Sequence, residues 1–190
     1  QEDWMHSFTL NEQKEAKDVF EGLFKSSLLI PAFNPKGEFK MIDIHQLLDD
    51  GIDNLITINN ENVIKYSFAL TKVDDVKNSI NVKYKFEYAT GEFSKQTGYL
   101  IQEGEPPVYT YDDITRVMYP DDPEKQYNLD YYGLKDVDAK LEVESEYIRD
   151  ESTAKKLQKR LLNWYANQHL IVKLKLPVSY MNLEAGDYIQ

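Results

Sequence analysis

Two runs of strict alternation constrain this chain more than any other feature. Ile64, Tyr66, Phe68 and Leu70 recur at every second position, and Ile80, Val82, Tyr84, Phe86 and Tyr88 do the same. Successive side chains of a strand point to opposite faces, so each run has one apolar face, while Lys65, Lys83, Lys85 and Glu87 fall on the polar one. The two runs read as a half-buried antiparallel pair with one side wet or against another subunit. Tyrosine is abundant, at 14 against 8 Phe and 2 Trp, and suits half-buried sheets and interfaces by joining a large apolar body to one polar tip.

Two other stretches have helical spacing. In TLNEQKEAKDVFEGLFKSS, Thr9 followed by Glu12 has the form of a capping box, and Ala16, Val19, Phe20, Leu23 and Phe24 make an apolar stripe. In ESTAKKLQKRLLNWYANQ, Asp150 or Ser152 supplies the cap and Ala154, Leu157, Leu161, Trp164 and Tyr165 the stripe. Each helix leads into extended chain. Asn34-Pro35-Lys36-Gly37 is a turn between two strands after the first, and Leu170, Val172, Leu174 and Leu176 alternate after the second. Leu141, Val143 and Tyr147 alternate with Glu142, Glu144 and Glu146, while residues 45–62 are polar and loop-like except for a short strand around Ile56 and Ile58. The pattern predicts an α+β fold, two main amphipathic helices packed on mainly antiparallel sheet, with Val19, Phe20, Leu23, Leu157 and Leu161 buried.

Regular patterning lapses from Gly91. Residues 1–100 are read as helix plus antiparallel strands, and 134–190 as a strand–helix–strand unit packed with them. Between these, 101–133, with Pro106-Pro107 and YPDDPEKQYNLDYYG, reads as an irregular excursion or linker.

Composition removes several functions. Without cysteine there are no disulfides, thiolate nucleophiles or Cys-based zinc sites. The net charge of −11 repels a phosphate backbone, which argues against tight nonspecific nucleic-acid binding. The longest apolar stretch, around Ser27–Phe33, is broken by Pro31 and falls short of the roughly 20 residues a bilayer requires. His6, His45 and His169 have no second metal-type ligand at useful spacing, and the commoner state of a lone histidine is structural or solvated. Asp49-Asp50, Asp74-Asp75, Asp112-Asp113 and Asp121-Asp122 are adjacent pairs, whereas acid–base catalysis needs carboxylates converging in a cleft with separated pKa values. The stretch DDPEKQYNLD lacks the spacing and glycine of an EF-hand loop. Lys155, Lys156, Lys159 and Arg160 form a basic stripe that reads as the wet face of the second helix. No catalytic, cofactor-binding or metal-ligating residue is assigned, and the chain is read as a non-enzyme without cofactor.

Several segments resemble tail-hub, or baseplate-hub, proteins of tailed bacteriophages. They are the Thr153-Ala154 helix start, Leu161-Leu162, the strand leading to Leu183 with Gly186-Asp187 and Ile189, the helix–strand–turn stretch KDVFEGLFKSSLLIPAFNPKGEFKMIDI, and the strand NSINVKYKF. The resemblance covers both end thirds and leaves residues 91–133 outside it. It implies a virion structural protein joining tail tube to spike or fibre, in homotrimeric rings around a channel through which DNA leaves. A channel that passes DNA without holding it suits an acidic chain. The alternative is a host-surface glycan-binding module using the tyrosines of VYTYDDITRVMY and YNLDYYG.

The closing stretch LEAGDYIQ combines Gly-Asp turn chemistry with three residues that open a strand. With Gln1 rather than methionine at the other end, this reads as an inner piece of a longer hub. The expected state of Tyr188-Ile189-Gln190 is frayed, exposed or paired with a neighbouring chain.

Overall fold

The computed structural model describes residues 4–34, 36–43, 55–101, 132–135 and 138–189. Its elements are α1 (Ala16–Ser27), β1 (Leu29–Phe33), β2 (Phe39–Asp43), β3 (Leu55–Ile56), β4 (Lys65–Leu70), β5 (Ser79–Glu87), β6 (Glu92–Gln96), β7 (Leu100–Ile101), β8 (Lys140–Glu144), α2 (Glu151–Tyr165), β9 (Leu170–Lys175) and β10 (Tyr188–Ile189). The class is α+β, with sheets that are mostly antiparallel.

The core forms where α2 lies on β5. Ile80, Val82 and Tyr84 of β5 meet Ala154, Leu157, Leu161 and Leu162 of α2, with Ile148 between them. The helix begins where expected, because the Asp150 carboxylate accepts from the Thr153 amide at 2.9 Å and satisfies one of the free N–H groups of the first turn. One buried polar group fixes the helix on the sheet: Gln158 Nε2 donates to the carbonyls of Ile80 and Gly98, both at 2.6 Å. Trp4 packs against the same cluster, and the extended arm that follows is stitched down by Ser7 N to Tyr147 O and Met5 N to Thr153 Oγ1.

Strand pairing differs from the expectation. The two alternating runs do not pair with each other. β4 pairs antiparallel with β9, Tyr66 opposite Leu174 and Phe68 opposite Val172. β5 is a central strand, antiparallel to β6 and β7 and parallel to β8. β6 and β7 occupy the beginning of the stretch from Gly91 where patterning lapses, and residues 102–131 lie outside the described residues.

The first helix differs as well. Thr9 and Glu12 do not cap it; α1 starts at Ala16 behind Glu15, which makes no side-chain cap bond, and the Thr9 amide donates to Tyr88 Oη instead. Phe20, expected in the core, is 54% exposed, and Val19 and Leu23 are half-buried. The helix packs through its small residues. Gly22 lies under the Tyr147 ring, where an added Cβ would sit 2.1 Å from a ring carbon, and Ser26 Oγ meets Ser145 Oγ at 2.7 Å. Leu157 and Leu161 are buried as expected.

Both predicted turns form. Asn34 Oδ1 accepts from the amides of Lys36 and Glu38, and Gly37 takes a positive φ of 79°, closing the β1–β2 hairpin. Gly186 takes φ 93° while Asp187 Oδ2 accepts from the Glu184 amide. Contrary to expectation, Tyr188 and Ile189 are paired within the chain, parallel to Leu55 and Ile56.

Candidate interaction surface

The β4–β9 ribbon separates its side chains by chemistry. In this register Tyr66, Phe68 and Leu70 share a face with Leu170, Val172 and Leu174, and the alternation adds Ile64. These seven side chains are 38–63% exposed. The opposite face carries Lys65, Ser67 and Ala69 beside Lys175, Lys173 and Ile171. At one end the pairing continues beyond the strands, by Thr71 N to His169 O, His169 N to Thr71 Oγ1 and Gln168 Nε2 to Thr71 O. Tyr66 and Phe68 lie with ring centroids 5.3 Å apart, which gives the face an aromatic centre.

A second apolar area joins α1 to the β1–β2 hairpin. Phe20 stacks on Phe24, Phe24 approaches Phe39 at 6.2 Å, and Phe39 meets Phe33 edge-on at 5.5 Å. Large contiguous apolar faces of this kind mark contact sites on soluble proteins.

Clefts also open among the described residues. One, of about 300 Å³, lies between α1 and residues 143–147 and is lined by Asp18, Glu21, Glu144 and Glu146 with Lys14 and Lys25. A cleft gathering acidic side chains was not expected from sequence. Three of its carboxylates are ion-paired: Glu146 accepts from Lys14 at 3.2 Å, which raises the lysine pKa, Glu21 lies 3.8 Å from Lys25, and Glu144 pairs with Lys83. Above β5 and β8, Lys83 bridges Glu142 at 2.5 Å and Glu144 at 3.3 Å, and the hydrogen bond from Lys83 holds the Glu142 carboxyl below its ordinary range. The other cleft, of about 390 Å³, is lined by Thr71, Asp75, Lys77, Trp164 and His169 among others, with the His169 ring stacked on Trp164 at 4.2 Å.

The remaining sequence candidates are dispersed. His6 stacks on Trp4, its ring nitrogens make no hydrogen bond, and burial pushes its pKa down, only partly offset by the nearby Tyr147 carbonyl. Asp74-Asp75 falls in a 3-10 turn, Val73–Asp75. His45, Asp49-Asp50, Asp112-Asp113, Asp121-Asp122 and all the tyrosines of the glycan alternative except Tyr132 lie outside the described residues; Tyr132 Oη accepts from the Gln168 amide. Among the described residues no group of three His, Asp or Glu is arranged to hold a metal ion, and no helix is long and apolar enough to cross a membrane. In the basic stripe of α2, Lys155 pairs with Glu151 at 2.7 Å, and the Arg160 guanidinium lies 4.7 Å over the Trp4 ring. The missed signals were Gln158, a polar residue inside an apolar stripe, and Gly22 and Ser26, small residues at i,i+4 on one helix face. The chain matches no protein-family model and no curated protein.

Proposed function

We propose that this chain is a structural, non-catalytic part of the tail or baseplate hub of a tailed bacteriophage, resident in the virion and joining the tail tube to a spike or fibre. The observation that carries the reading is order. The segments that resemble the hub pattern follow one another as they do in a hub, and each coincides with whole elements: α1 through β2, then β5, then α2 through the Gly186-Asp187 turn. Apolar surface on the β4–β9 ribbon and on α1 with its hairpin further supports a protein that works by contact. Its partners are tube and spike or fibre proteins and copies of itself, a trimer by resemblance. DNA is met only in passage through a channel, which the net charge of −11 suits.

The first test is genomic. Tail tape-measure and fibre genes should flank the coding sequence, and antibody labelling of intact virions should mark the tail end. A gene surrounded by no tail genes, or virions that lack the protein, would sink the reading.

A further inference from the structure

We propose that residues 4–9 form a strap that mild acid releases from the body, with the His6 ring as the trigger. Along the strap, Trp4, His6 and Phe8 are half-buried while Met5, Ser7 and Thr9 are exposed, which is the alternation of an extended strand. It is anchored through every second amide: Met5 N donates to Thr153 Oγ1 at 3.2 Å, Ser7 N to Tyr147 O at 3.0 Å and Thr9 N to Tyr88 Oη at 3.1 Å. Trp4 packs on the core cluster, and Phe8 meets the Tyr147 ring edge-on at 4.8 Å. His6 is therefore the middle one of three inward side chains, with an anchor on either side. The strap belongs to none of the sheets, so it can open without breaking a ladder.

The neutral ring fits this place and the charged ring does not. Both ring nitrogens are shut off from water and make no hydrogen bond. A proton turns both into charged donors, and a charge buried without a partner is costly. The nearby Tyr147 carbonyl already accepts from the Ser7 amide. The groups around the ring supply no compensating negative charge. On the α2 side, the Arg160 guanidinium lies 4.7 Å over the Trp4 ring on which His6 stacks, so a protonated His6 adds a second cation. The Asp150 carboxylate is engaged by Thr153, and Glu146 is paired with Lys14 at 3.2 Å. Burial keeps the Tyr147 hydroxyl neutral, Asp18 of α1 is felt at that hydroxyl, and Tyr88 is the uncharged acceptor of the Thr9 amide. None of these carboxylates bonds to the His6 ring, and Glu2 and Asp3 lie outside the described residues. Burial accordingly lowers the His6 pKa. The seated strap is favoured in full above the unfolded value of about 6.5 and loses that preference as pH falls towards the lower folded value. Release uncovers Thr153, Tyr147 and the part of the core cluster beneath Trp4. The inference stands on the strap and is independent of the hub reading.

The test is amide hydrogen exchange of the native chain, read by NMR from about pH 7.5 to about pH 5.5, a window above the isoelectric point of about 4.8. Each rate is divided by the intrinsic rate at that pH, so that only opening is compared. Protection of the Met5, Ser7 and Thr9 amides should fall below about pH 6.5 by up to about tenfold per pH unit, the limit for one proton. The Leu157 and Leu161 amides of the core should keep theirs. His6→Phe retains a ring that takes no proton and should hold strap protection level across the window. The His6 ring, followed through its own NMR signals, should titrate below about 6.5. Strap protection that does not change with pH in the native chain, or that falls equally in His6→Phe, overturns the proposal. So does a ring that titrates at or above about 6.5, or a core that loses protection in step with the strap. If His6→Phe leaves the strap unprotected even at about pH 7.5, the uncharged variant His6→Gln carries the same comparison.

Discussion

Gln158 offers the sharpest test of how α2 is fixed on β5. It is 4% exposed, and its amide spans two backbone carbonyls, Ile80 O and Gly98 O, each at 2.6 Å. Gln158→Met keeps the unbranched stem and removes both donations. The two losses are unequal. Gly98 O also accepts from Thr97 Oγ1 at 3.0 Å, so it loses one bond of two. The lost bond costs about 1 kcal/mol, whereas a buried carbonyl left without this donor costs about 1–2 kcal/mol. The sum predicts a destabilisation of about 2–3 kcal/mol, read in urea as a lower midpoint at unchanged slope. For a chain of this size the melting temperature should fall by about 4–12 °C. A variant within about 0.5 kcal/mol of the native chain would show that Gln158 does not bridge the sheet and that shape packing alone seats the helix.

Three further outcomes follow from the same packing. Leu161→Ala, at a side chain 7% exposed in the core, should cost about 2–5 kcal/mol by denaturant titration, whereas Phe20→Ala on the exposed face of α1 should cost well under half of that. Asp150→Ala should remove the α2 cap and cost about 1 kcal/mol in the same assay, with Asp150→Ser restoring most of it. His6 is held below its ordinary pKa by burial, so the fold favours the neutral ring. Stability from this group is complete above the unfolded value of about 6.5 and is lost as pH falls through the lower folded value. His6→Phe should therefore lose less stability than the native chain on going from neutral to mildly acidic pH, and differ from it by a constant amount above neutrality.

The legible parts were those whose cause is local. The Asp150 cap, the Leu157 and Leu161 stripe, the Asn34 turn and the Gly186-Asp187 turn each depend on residues within one turn of chain, and all form. The Thr9–Glu12 box did not, because a capping box needs the backbone to enter a helix at Thr9, and the chain instead lies extended across the body until Glu15. The parallel pairing of β8 with β5 was invisible for a different reason. The partners are separated by more than 50 residues, and alternation states which face is apolar without stating which strand lies alongside. The interaction surface was half legible: the sequence reading allowed one side of the alternating pair to face another subunit, yet chose the wrong partner strand.

β4 and β5 show why alternation alone cannot decide burial. Both have apolar residues at every second position, yet Ile80 and Val82 are fully buried while Phe68 is 62% exposed. The difference lies in the other face and in the neighbours. β5 has strands on both sides and α2 across its apolar face, and its second face carries Ser79 and Asn81, short enough to be buried there; the Asn81 amide donates to Gln96 Oε1. β4 has one neighbour, and its second face carries Lys65 opposite Lys175, two charges that cannot be buried unpaired. A strand built like β4 is confined to a place where one face is wet and basic. Among the described residues no element lies over its apolar face, so Tyr66, Phe68 and Val172 should matter far less to the stability of the single chain than Ile80 and Val82 do.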